Sequence, residues 1–170
     1  MAFYFFDTSA VVKYYVTEPG SAWVRQLIDT WEPDRNPTRH VILVAEITRV
    51  EVADGLAIIE RVGRIRREDR QRAYHRFIHQ LSHRYAIVPL LTGDFATAAD
   101  LTQRHPLKAY DAVQLAIALR YHQFLSQHQV SCTVVSGDGA LLGAAQAESL
   151  PTENPFDHSL PEDTAEQSTS

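Results

Sequence analysis

Phe3-Tyr4-Phe5-Phe6-Asp7-Thr8-Ser9-Ala10-Val11-Val12-Lys13-Tyr14-Tyr15 is the stretch from which the fold is best read. Four consecutive large apolar residues leave no polar face, which is the pattern of a short strand buried on both sides. The run stops at Asp7. Thr8 to Val16 then follows helical spacing until Glu18-Pro19-Gly20 ends it. A doubly buried strand feeding straight into a helix predicts an α/β domain with a mainly parallel sheet.

The alternation continues along the chain. A second helix, Ser21 to about Thr30, places Trp23, Val24, Leu27 and Ile28 at helical spacing, and Glu32 to Pro37 has the chemistry of a loop. Val41–Val44 reads as the next strand, leading into a helix from about Glu46 to Val62 that Gly63 ends. An amphipathic helix, Glu68 to Arg84, precedes a strand over Ala86–Leu90. Thr92 is the predicted N-cap of a helix running through Arg104, with Asp94 in its first turn. The strongest helix spans Asp111 to Leu125. Cys132–Val135 is the last core strand, and Ser136-Gly137-Asp138-Gly139 turns into a short helix through Ala147. No linker divides this core, so residues 1–155 are expected to form one domain. Residues 156–170, rich in Pro, Ser, Thr and acid, are expected to form a disordered tail.

Composition bounds the function only loosely. The 170 residues suffice for one ordinary domain, and 45% hydrophobic with 22% charged content is that of a soluble globular core. No apolar run is long enough for a membrane span, and the N-terminus, without a basic region, does not read as a signal peptide. Cys132 is the only cysteine, so an internal disulfide is excluded, which suits a reducing cytosol. The net charge of −5 is uneven: five of the 21 acids lie in 151–170, and without them acids equal the 16 basic residues. A neutral core does not advertise nucleic-acid binding, although local patches can supply it.

The acids worth attention lie where strands end. Asp7 ends the first strand, Asp138 follows the last, Asp111 opens a helix, and Glu51 lies in the helix after Val41–Val44. In parallel sheets, ligands gather beyond the carboxyl ends of the strands. Carboxylates that meet there repel one another unless a cation compensates, and oxygen-only ligands suit Mg²⁺ or Mn²⁺. The structural alternative is equally concrete. Asp111 with Gln114 has the spacing of a capping box, Asp138 can cap its short helix, and Asp7 can simply start a turn. Spacing alone leaves both readings open.

The motifs themselves resemble a known family. Asp7-Thr8-Ser9-Ala10-Val11-Val12-Lys13 with Glu18-Pro19-Gly20-Ser21 resembles the opening of PIN domains of the VapC toxin kind. Ile47-Thr48-Arg49-Val50-Glu51-Val52 is similar to the family's second acidic motif. His105 to Ala116, around Tyr110-Asp111-Ala112, is similar to the third, and Val134-Val135-Ser136-Gly137-Asp138 to the fourth. The resemblance implies a PIN-like α/β fold and a Mg²⁺- or Mn²⁺-dependent endoribonuclease whose metal and catalytic residues are Asp7, Glu51, Asp111 and Asp138. Ser9 matches the family's hydroxyl residue beside the first acid, and Lys13 and Lys108 are the candidates for substrate phosphate contacts. It further implies an RNA substrate, products with 5′-phosphate and 3′-hydroxyl ends, a VapB-like antitoxin partner, a homodimer and a cytoplasmic location. Glu46 competes with Glu51, but five residues on a helix is about 140°, so both cannot face one site. Gly139-Ala140 depart from the bulkier or basic residues usual after the fourth acid.

Rivals are a PIN nuclease in RNA processing outside any toxin–antitoxin pair, and a degenerate PIN fold kept for binding. Degenerate modules tend to lose acids, and here all four positions are filled. A phosphatase of the haloacid-dehalogenase type needs a second Asp where this chain has Ser9. Seven arginines between residues 60 and 76 read either as a phosphate-binding patch or as a solvated helix face. His75, His79 and His83 border an apolar stripe, and Tyr14, Tyr15, Trp23 and Trp31 read as packing residues rather than base-stacking ones.

Overall fold

Phe5 and Phe6, adjacent in the first strand, are both buried and belong to different hydrophobic cores. A strand's side chains alternate between faces, so a sheet with apolar residues at both must be covered on both. The computed structural model describes residues 2–30, 40–159 and 163. Its strands are β1 (Ala2–Phe6), β2 (His40–Ala45), β3 (Ala86–Val88), β4 (Cys132–Val135) and β5 (Thr152–Glu153). They form one sheet in the order β3-β2-β1-β4-β5, with every pairing parallel. Its helices are α1 (Thr8–Tyr15), α2 (Ser21–Asp29), α3 (Thr48–Arg61), α4 (Arg67–Arg84), α5 (Thr92–Arg104), α6 (Ala109–Ser126) and α7 (Gly139–Ala147). Phe5, Leu43 and Val134 pack with α5, α6 and α7; Phe6, Ile42, Val44 and Val135 pack with α1 to α4. The expected single-domain α/β architecture is what the chain adopts.

Strand order decides where a site can form. The chain moves outward from β1 to β2 and β3, then returns to the other side of β1 for β4. The switch point therefore lies between β1 and β4, and their carboxyl ends open the crevice where such sheets bind ligands. Asp7 directly follows β1, and Asp138 follows β4 after two residues.

Several boundaries differ from those the sequence predicts. Helix α3 starts at Thr48, not Glu46, because the Glu46 backbone N–H is held by the Val88 carbonyl at 2.9 Å. Leu91, not Thr92, occupies the cap position of α5, and its N–H donates to the Asp94 carboxylate at 2.8 Å. Helix α6 begins at Ala109, so Asp111 lies inside the first turn rather than at its cap. The loop at residues 32–37 and Trp31 lie outside the described residues.

Beyond β5 the chain packs back against α2. Pro155–His158 form a 3₁₀ turn in which the Asn154 side chain accepts the Phe156 N–H. His158 stacks on Trp23 with ring centroids 4.2 Å apart, and the buried Asp163 carboxylate accepts the N–H groups of Gly20 and Ala22 at 2.9 and 2.8 Å. The tail thus caps α2 from the far end of the chain, a partner composition cannot reveal. Residues 160–162 and 164–170 lie outside the described residues.

Gly20 makes this junction possible. Its φ of +86° is unfavourable for L side chains, and a Cβ there would stand 2.2 Å from the Pro155 carbonyl oxygen. Gly20→Ala is expected to cost more than about 1 kcal/mol, read as a lowered midpoint in urea unfolding. An unchanged midpoint would mean that the α1–α2 turn and the Pro155 segment do not meet as described.

Candidate active site

Asp7 ends β1, and its side chain turns back to cap α1, accepting the Ala10 N–H at 3.1 Å and the Ser9 hydroxyl at 2.8 Å. It is only 6% exposed. Burial outweighs those hydrogen bonds and pushes the carboxyl from its ordinary 3.8 up to about 6. The Ser9 oxygen also accepts the Gly137 N–H at 2.7 Å and lies 3.4 Å from the Ser136 hydroxyl oxygen. Ser136 in turn accepts the Asp138 N–H at 2.9 Å. This short chain of hydroxyls ties the end of β1 to the end of β4. Gly137 permits the approach, since a Cβ there would lie 3.3 Å from the Ser9 oxygen and 3.1 Å from the Phe156 ring. Asp138 caps α7, accepting the N–H groups of Ala140 and Leu141 at 2.7 and 3.1 Å. Capping and membership of an acidic site are not exclusive here.

Glu51 reaches the same edge from the first turn of α3. Its Oε2 accepts the Thr8 hydroxyl at 3.0 Å and the Gln114 amide at 2.5 Å. Burial raises the Glu51 carboxyl above its ordinary range; the Gln114 and Thr8 hydrogen bonds oppose the rise, and the negative Asp111 adds to it. Asp111 is raised by burial and then by Asp138, with the Lys108 charge pulling the other way. Each acid therefore feels or is tied to the next: Asp7 to Asp138 through Ser9 and Ser136, Asp138 to Asp111, and Asp111 to Glu51. Glu51 and Asp111, with Thr8, Lys108 and Tyr110, line an open crevice of about 510 Å³. Glu46 is exposed and lines a separate hollow beside Arg49 and Leu90.

What neutralises these acids is informative. Among the described residues no salt bridge reaches Asp7, Glu51, Asp111 or Asp138; their hydrogen-bond donors are backbone N–H groups, hydroxyls and one amide. Carboxylates of this kind, joined to no cationic side chain by a salt bridge, fit a hard divalent cation in donor type and charge. As the side chains stand, no three His, Cys, Asp or Glu among the described residues converge closely enough to hold an ion. Glu51 and Asp111 line the crevice, with Asp7 and Asp138 at the same sheet edge, and the four do not close on one point.

Other expected contacts resolve differently. Lys13 is 1% exposed; its Nζ donates to the Glu18 carboxylate at 2.9 Å and the Pro19 carbonyl at 3.0 Å, and lies 3.8 Å over the Phe156 ring. It is a strut behind the site rather than a group open to phosphate. Lys108, exposed on the crevice wall, remains available. Arg61, Arg64, Arg70 and Arg72 pair with Asp54, Glu18, Glu60 and Asp69, and Arg76 lies over Tyr14, which favours the solvated-face reading of that arginine cluster. Sequence reasoning passed over Thr8, Thr48, Gln114 and Ser136. Helical spacing could have found two of them: Thr48 is three residues before Glu51 and Gln114 three after Asp111, each on its acid's face.

Comparison with known proteins bears on the family and the fold. Residues 4–127 match the family model described as PIN domain; Asp7, Glu51 and Asp111 lie inside the match and Asp138 beyond it. Among curated proteins there is no match. Similar solved structures include FitAcB from Neisseria gonorrhoeae, 19% identical over 90% of this chain and 98% of that one, with a TM-score of 0.58. VapBC2 from Rickettsia felis, bound to a DNA fragment from its promoter, is 14% identical over 89% and 98%, with a TM-score of 0.57. Mycobacterium tuberculosis VapC20, a toxin that cleaves the sarcin-ricin loop, is 16% identical over 83% and 94%, with a TM-score of 0.54. At such identities the likeness is one of fold.

Proposed function

From the premise that this chain belongs to the PIN domain family, we propose that it is a Mg²⁺- or Mn²⁺-dependent endoribonuclease and the toxin of a toxin–antitoxin pair. The observation that carries this reading is the set of four carboxylates at the switch-point edge, three of them raised by burial and none joined to a cationic side chain by a salt bridge among the described residues. The toxin–antitoxin assignment draws on the structural neighbours, one named as a sarcin-ricin loop cleaving toxin and another, from Klebsiella pneumoniae, as a toxin–antitoxin complex. A VapB-like antitoxin, a homodimer and a cytoplasmic location belong to the same proposal.

In this reading Asp7, Glu51, Asp111 and Asp138 would hold the ion. When bound, a divalent cation lowers the pKa of water and offsets charge on the phosphate and leaving oxygen. The protein's own contribution is positional. Ser9 fixes the Asp7 carboxylate and, with Ser136, keeps the β1 and β4 ends in register. Thr8 and Gln114 fix one oxygen of Glu51. Lys108 at the crevice wall offers a positive charge to a flanking phosphate. Water attacks phosphorus, the bond to the 3′-oxygen breaks, and the products carry 5′-phosphate and 3′-hydroxyl ends.

Purified protein is expected to cut single-stranded RNA with Mg²⁺ or Mn²⁺, to stop in excess chelator, and to lose cleavage in Asp111→Asn. End-labelled oligonucleotides resolved on a denaturing gel would read it. Cutting that persists undiminished in chelator would refute the metal requirement, and no cutting of any RNA the nuclease itself.

A further inference from the structure

We infer that Gln114 is a positioning residue for Glu51, setting the affinity of the site for its divalent cation; the inference rests on the reading just given. Gln114 is 2% exposed and flanked along α6 by buried Ala112, Val113, Leu115 and Ala116. A buried amide is costly unless its hydrogen-bonding groups find partners. Only half of this one does. Its Nε2 lies 2.5 Å from Glu51 Oε2, 3.1 Å from the Thr48 hydroxyl oxygen and 3.4 Å from that of Thr8, so it joins α1, α3 and α6 at one point. Its Oε1 is buried without a partner among the described residues. A leucine of similar size would fill the space and remove the orphaned oxygen at the expense of the Thr48 hydroxyl's amide partner, so packing alone does not account for the amide.

The contact to Glu51 does. Both neutral donors, Gln114 and Thr8, fall on the same oxygen of Glu51, and no hydrogen bond from the described residues reaches the other. An arginine in this place would hold the carboxylate but cancel its charge. An amide holds it and leaves the charge for a cation. Thr48, buried at the start of α3, fixes the amide in turn. Partners of metal ligands typically set affinity by 10- to 100-fold without touching the ion.

The test is Mn²⁺ binding to RNA-free protein, read from the electron paramagnetic resonance signal of free Mn²⁺, together with the Mn²⁺ concentration giving half-maximal cleavage. Gln114→Leu is expected to weaken both by about 10- to 100-fold, while the melting temperature of the metal-free protein stays close to wild type, one orphaned atom being exchanged for another. Gln114→Met, of similar length and flexible, serves if the leucine variant does not fold. In a Glu51→Gln background the Gln114 change should have no further effect on Mn²⁺ binding, because its action runs through Glu51. Wild-type protein that binds Mn²⁺ and cuts RNA, matched in both by Gln114→Leu, overturns the positioning role and leaves the nuclease standing. Losses that simply add to those of Glu51→Gln also overturn it. Wild-type protein that takes up no Mn²⁺ overturns both readings.

Discussion

Replacing Asp7 with asparagine is expected to abolish RNA cleavage and, in the same protein without metal, to raise its stability. The loss of activity should exceed about 100-fold, the upper end of what even an outer partner of a metal ligand is worth, because the variant removes one carboxylate of the set. The gain in stability follows from desolvation. Burial lifts the Asp7 carboxyl from 3.8 to about 6, so between those pH values the folded chain binds more protons than the unfolded one. Stability without metal therefore falls as pH rises through that window and stays reduced above it. Each pH unit is worth about 1.4 kcal/mol, which gives an upper figure of about 3 kcal/mol at pH 7. Asparagine cannot ionise, yet its carbonyl can still accept the Ala10 N–H that caps α1. Thermal melts across pH 4 to 8 should show the wild type losing stability through the window and the variant losing less. Added Mn²⁺ should raise the wild-type midpoint and leave the variant's nearly unmoved. A variant less stable than wild type at every pH would mean that Asp7 is structural and that its burial is compensated within the chain.

The sequence makes β1 and Asp7 legible because one short apolar run ends abruptly in an acid, and a doubly buried strand has few other endings. The sheet order follows less directly. β5 is two residues long and carries no apolar pattern, so only its pairing with Val134 and Val135 reveals it. Spacing locates the face of a helix but never the element opposite. Gln114 illustrates the limit: three residues after Asp111, it satisfies the capping-box pattern, yet its amide turns toward Glu51, 63 positions earlier. Lys13 fails for the same reason, since proximity in sequence to Asp7 says nothing about Glu18 and Phe156 closing over its ammonium group. The docked Asp163 is harder still. A single acid in a polar tail becomes a helix cap only through the left-handed turn at Gly20.

Asp94 shows why burial alone does not mark a functional acid, and it supplies the second large effect. Like Asp7 it is almost fully buried, at 2% exposure, and lies in the first turn of its helix. Unlike Asp7 it has a cationic partner. Arg120 spans both carboxylate oxygens, Nε at 2.8 Å and Nη2 at 3.1 Å, and Nη2 also donates to the Pro89 carbonyl at 2.7 Å. Removing one member of a buried pair leaves the other charge stranded, at a cost of about 3–5 kcal/mol. The Arg120 side chain is 33% exposed, so water can partly take its place, and the lower end applies. Arg120→Leu is thus expected to lose about 3 kcal/mol of stability in urea unfolding. Asp94→Asn in the same chain should recover part of it, since no bare carboxylate then remains. Mn²⁺ uptake by the folded variant should match wild type, because no hydrogen bond joins either side chain to the four site acids. Where the fold supplies its own cation, the acid holds the structure together; where it supplies only hydroxyls and backbone N–H groups, as around Asp7, the proposed metal ion would supply the compensation. An Arg120→Leu protein as stable as wild type would remove the ground for that distinction, and with it the physical reason for reading Asp7 as a metal-seeking group.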